Sequence, residues 1–186
     1  MNYLIAIAFC FNFIYCSLTF ETDFGPCSLT NYGTTFTESD IKSIIQKKIS
    51  KLNNEFNPTS SKKSFPFIVD DGQEKIYSSH WPWALGITYH KPEKIIVKDP
   101  AIAHISKMKF EMIVEHELNH LMVNRVKLQH TIPRWFKEGF AMYYSNEISF
   151  NHKVKVGQKI YNKKLFNLND LKQFDAKNQQ DFNFLY

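Results

Sequence analysis

His116-Glu117-Leu118-Asn119-His120, followed by Glu138 in Trp135-Phe136-Lys137-Glu138-Gly139-Phe140-Ala141, is the stretch on which the reading of this chain turns. On an α-helix, residues four apart lie on one face, one turn above each other. His116 and His120 can therefore aim both imidazoles at one cation. Glu117 stands beside the pair, placed to take a proton from a metal-bound water. Residues 121–137 separate His120 from Glu138. A catalytic zinc takes three protein ligands and keeps a fourth position for water. His116, His120 and Glu138 meet that requirement, so Zn2+ is the expected cofactor.

The context suits a helix. Ile113 and Val114 precede the motif, Leu121 and Met122 follow it, and no Pro or Gly interrupts Phe110 to Lys127. The pattern predicts a helix from about Ser106 to Val126. Either histidine alone reads more simply as a core residue that is solvated or hydrogen-bonded. The pair, the intervening Glu117 and the downstream Glu138 together read as a site.

These residues resemble a family. His116 to His120, the gap, and Glu138 within Pro133 to Tyr144 are similar to the gluzincin metallopeptidases of the peptidase-MA-like group. The aminopeptidase N enzymes carry a similar ligand helix, with a gap one residue longer. The resemblance spans Ala84 to Tyr144 and thins on both flanks. It implies an α+β, zincin-like fold, in which a small mixed or antiparallel sheet packs on an active-site helix and a second ligand helix. It also implies a zinc peptidase with His116, His120 and Glu138 as ligands and Glu117 as general base. Gluzincins add a downstream Tyr or His to stabilise the oxyanion. Tyr143, Tyr144, His152, Tyr161 and Tyr186 are candidates, and Tyr186 fits the family position best. For Tyr143 and Tyr144, packing on the ligand helix is the simpler role. The thermolysin-type acidic residue four positions after the ligand glutamate is replaced here by Met142, so a thermolysin-like outer shell is not expected.

Composition bounds the rest. The chain has 186 residues, 44% hydrophobic, 22% charged and 16% aromatic, which suits one domain with a packed core. The net charge is +5, carried almost wholly by Lys, with Arg125 and Arg134 as the arginines. Bidentate phosphate and base recognition favours Arg, so no nucleic-acid role is expected. Residues 1–20 read as a signal peptide or a lipoprotein leader. Tyr3 to Tyr15 is nearly all apolar yet short for a membrane span. Phe13-Ile14-Tyr15-Cys16 is a degenerate lipobox, and an uncleaved anchor is a third option. Each places residues 21–186, the peptidase-MA-like domain, outside the cytoplasm, secreted, periplasmic or lipid-anchored. Cys27 is expected to be a free thiol.

Along the chain, Glu21 to Thr35 reads as an irregular lead-in. Thr37 opens a helix whose stripe runs Ile41, Ile44, Ile45, Lys48, Ile49, Leu52 and Phe56, stopped at Asn57-Pro58. Phe65 to Val69 reads as a buried strand. Ala84 to Tyr89 and Lys94 to Lys98 read as a hairpin. By the resemblance, the Ala84 to Tyr89 strand would hold extended substrate through main-chain hydrogen bonds; an ordinary edge strand is the plainer alternative. Pro133 opens the ligand helix, which runs to about Asn146, and Gly139 is expected to let it approach the metal helix closely. Glu111 and Glu115 are expected to be solvated or Lys-paired. His80, His90, His104, His130 and His152 read as surface residues, Trp135 as packing beneath the ligand helix, and Arg134 as a carboxylate partner. The abrupt apolar end at Phe182 to Tyr186 suggests a chain cut short.

Two functions follow. One is an exported zinc metallopeptidase acting on a peptide or protein substrate. The other is a non-catalytic exported or membrane-attached binding domain that keeps the fold, attached through its N-terminus.

Overall fold

The computed structural model describes residues 17–57, 62–72, 84–125 and 132–148, with residues 158, 161 and 162. Among the described residues five strands and four helices follow one another: β1 (Leu18–Phe20), β2 (Cys27–Asn31), α1 (Glu38–Phe56), β3 (Phe65–Asp70), β4 (Gly86–His90), β5 (Glu93–Lys98), α2 (Pro100–Ala103), α3 (Lys107–Arg125) and α4 (Arg134–Tyr144). The strands form one mixed sheet in the order β1-β2-β3-β5-β4. Its three central strands run parallel, and an antiparallel strand closes each edge. Fold class is thus α+β with a small mixed sheet, as the sequence suggests.

Parallel neighbours need a crossover, and α1 provides the one between β2 and β3. Its start is fixed by a capping box. Thr37 Oγ accepts from Asp40 N at 3.2 Å, while the Thr37 amide donates to Asp40 Oδ2 at 3.0 Å. Asn57, in the left-handed region, ends it. Ile41, Ile45, Ile49 and Leu52 are the buried stripe. They join Phe65, Phe67, Leu29, Val97, Phe110 and Leu118 in one core. Burial of each such side chain stabilises by about 1.5–3 kcal/mol.

One expectation fails here. Glu21 to Thr35 is not an irregular lead-in, because Cys27–Asn31 forms β2, paired on both sides. Cys27 and Leu29 are buried in the core, while Ser28 and Thr30, which alternate with them, are only partly buried. The flanking Gly25-Pro26 and Gly33 mask that alternation in the sequence. Leu18–Phe20, the end of the stretch read as leader, pairs with β2, and Phe20 is buried. Residues 1–16, with the leader and lipobox, lie outside the described residues, as do Glu74 to Ser79 and 163–186.

Helix α3 is the hub. It packs against α1, α4, β4 and β5, so nearly every side is covered. Polar side chains buried on it, Glu115, Glu117, Asn119 and Asn124, therefore need internal partners.

Candidate metal centre

The site is built on two helices and the turn after the second. His116 and His120 share one face of α3, and their Nε2 atoms lie 3.0 Å apart. Glu138, from the middle of α4, brings Oε2 to 3.5 Å from His116 Nε2 and 3.3 Å from His120 Nε2. These are the three ligand atoms that the sequence singles out, gathered in one cluster. Zinc bonds of about 2.0–2.1 Å at tetrahedral angles put neighbouring donors roughly 3.3 Å apart. The triangle of 3.0, 3.3 and 3.5 Å fits such an ion, and two imidazoles with one carboxylate are the donor types zinc takes.

The electrostatics follow from burial. Burial alone would lower the pKa of His116, but Glu138, Glu147 and Glu117 outweigh it and raise it to about 10. Burial would raise Glu138, yet its bonds to His116 and His120 hold it well below the usual carboxylate range. The carboxylate is ionised and ready to ligate. For Glu117 burial wins, and its carboxyl is pushed up despite the two histidines and the Thr88 hydrogen bond. A base whose pKa is moved toward neutrality is better matched to taking and returning a proton.

Glu117 is lodged against the edge strand. Thr88 Oγ donates to Glu117 Oε2 at 2.7 Å and lies 3.0 Å from the Glu117 carbonyl oxygen. Gly86 leaves the space the side chain occupies: a Cβ there would stand 2.7 Å from Glu117 Oε1 and 2.8 Å from its Cγ. The expected role of Gly139 is corrected by the same test. A Cβ on Gly139 meets nothing within 4 Å, because that residue is on the outer face of α4. The close approach belongs to β4 and α3.

Glu147 is the residue that sequence reasoning missed. Its Oε1 lies 2.9 Å from His116 Nδ1. Accepting there keeps a proton on Nδ1, so that Nε2 is the nitrogen that gives up its own proton when a cation binds. Glu147 is itself held by Ser145 Oγ at 2.9 Å and Lys109 Nζ at 3.4 Å. The helix end aims it. Asn146 takes φ +58, Glu147 N donates to Met142 O, and Asn146 N donates to Tyr143 O. That is a Schellman reversal, and it turns the chain back over α3. The signal available was Asn146 at the helix end; Met142 drew attention to the wrong position.

The remaining candidates sort plainly. Tyr144 packs on Phe56 and Phe140, as expected. Tyr143 and Tyr161 are exposed, while His152 and Tyr186 lie outside the described residues. Arg134 Nε stands 3.9 Å from Glu138 Oε1, the carboxylate partner anticipated for it. Glu115 is Lys-paired but buried rather than solvated. Cys27 is a buried free thiol whose pKa burial pushes up to about 12. His104 is exposed; His90, also exposed, is nonetheless hydrogen-bonded to Asn124. Comparison with protein-family models, curated proteins and solved structures gave no match.

Proposed function

We propose that this chain is a zinc-dependent metallopeptidase of gluzincin type, with His116, His120 and Glu138 as metal ligands and Glu117 as general base. The observation that carries the reading is the meeting of those three ligand atoms, from two helices, within 3.5 Å of one another, with Glu117 next in sequence to one of them. Zinc, when bound, lowers the pKa of a water toward neutrality and polarises a carbonyl. Glu117 would accept the proton on its carboxylate and return it to the leaving amine nitrogen. Thr88 holds that carboxylate in place through Oε2. Strand β4 is the last strand of the described sheet and packs beside α3, a position that suits an extended peptide added by main-chain hydrogen bonds. Export, through residues 1–20, belongs to the same proposal.

The test is hydrolysis of a quenched peptide library by the zinc-loaded full chain. Glu117→Gln should cut kcat by about 10²–10⁴-fold while zinc content stays unchanged. Stoichiometric zinc without hydrolysis of any peptide would instead assign a non-catalytic binding domain.

A further inference from the structure

The leader read from sequence at residues 1–20 runs into the folded domain, which limits where it can be removed. Strand β1 pairs antiparallel with β2 in the register Leu18↔Leu29, Thr19↔Ser28 and Phe20↔Cys27. Phe20 is buried in the core, and Leu18 packs against it. The Lys42 ammonium stands over the Phe20 ring, 5.6 Å from its centroid. The residues that follow are tied down as well. Gln46 Nε2 donates to Glu21 O at 3.2 Å, Ser50 Oγ donates to Asp23 Oδ2 at 3.2 Å, and Phe24 is buried. A cut within Leu18 to Glu21 would strip β2 of its outer partner and open the core at Phe20.

The sequence before β1 narrows the choice further. Signal peptidases cut shortly after an apolar run, behind a small residue. The run ends at Tyr15, and the small residues between it and β1 are Cys16 and Ser17. Ser17 is exposed and precedes the strand, so it can carry a new ammonium group in water. Cutting behind Ser17 would put that charge on Leu18, the first residue of β1, which packs on the core. We propose that export removes residues 1–16 by hydrolysis of the Cys16–Ser17 peptide bond, so that the mature chain begins one residue before β1. One water is taken up: Cys16 leaves with the new carboxylate, and Ser17 keeps the new amine. The enzyme is the exporting cell's membrane-bound signal peptidase, not this chain. The inference rests on the export reading and is independent of the peptidase one. It also removes Cys16 from the lipobox reading, since a lipidated Cys16 would stay on the mature chain.

The test is N-terminal sequencing and intact mass of the full chain, produced with its own leader in a bacterial host. Such a host has both a signal peptidase that cuts behind small residues and one that cuts before lipidated cysteines. Ser17 should be the first residue of the exported protein. Cys16→Ala, which keeps a small residue behind the bond, should be cut at the same place, whereas Cys16→Trp should stay uncut. Phe20→Ala, processed in the same way, should lower Tm by about 10 °C because β1 belongs to the mature core. Any other first residue on the exported chain, an acylated Cys16 included, would overturn the proposal and leave export standing. An unshifted Tm in Phe20→Ala would overturn it too. A chain retained inside the cell with residues 1–16 attached would remove the export reading as well.

Discussion

Two glycines show how much a single position can carry. Gly86 faces Glu117 so closely that Gly86→Ala must displace the carboxylate in a buried setting. We expect a loss of about 1–3 kcal/mol from overpacking, measured by urea unfolding, and a fall in kcat with zinc retained. Gly139 is exposed with open space around it, so Gly139→Ala should stabilise α4 by about 0.8–1 kcal/mol and leave zinc content alone. The sequence shows both residues yet gives no means to tell them apart, because contact across elements has no local signature. Glu147 makes the same point. Glu147→Ala should weaken zinc binding by about 10–100-fold, read by chelator competition, since His116 loses the acceptor that orients it. His116, Glu117 and His120 were legible because helical spacing alone puts them together. Glu147 was not, because it reaches His116 only through the turn after α4.

Helices α1, α3 and α4 are pinned by one buried charge. Glu115 is 1% exposed and bonds Lys48 Nζ and Lys51 Nζ, each at 2.7 Å. Lys51 also donates to Tyr144 O, at the end of the ligand helix. Glu115→Ala leaves two ammonium groups facing each other without their carboxylate. It should cost about 3 kcal/mol in urea unfolding, more than Lys51→Met, since Lys51 is 39% exposed and can turn to water. The cap of α1 is also pH-sensitive. The Thr37 hydroxyl and amide hold the Asp40 carboxyl below its ordinary 3.8. A carboxyl depressed by folding contributes stability above its unfolded pKa and loses it as pH falls through the folded one. Helicity of the wild type should therefore drop below pH 3.8, and Asp40→Asn should lack that component of the titration. The amphipathic stripe of α1 and the apolar run of β3 were readable in sequence for the usual periodic reasons. Strand β2 was not, because five residues between turn formers offer too short an alternation to stand out.

At the scale of the molecule, one hub helix packs against a mixed sheet and against α1 and α4, and it carries the histidine pair. The sequence conveyed the class of fold and both ligand helices, since long periodic segments declare themselves. It did not convey the strand order or the crossing of β4 over α3, which depend on contacts far apart in the chain. Because zinc would bind the folded site and not the dispersed ligands of the unfolded chain, chelation should lower Tm, and added zinc should restore it. The most direct measurement is metal analysis joined to zinc X-ray absorption on purified wild type, His120→Ala and Glu138→Ala. We predict one zinc per wild-type chain, with imidazole and carboxylate donors at about 2.0–2.1 Å, and its loss in both variants. Zinc held undiminished by Glu138→Ala, or a wild-type shell without imidazole, would contradict the shared centre of α3 and α4.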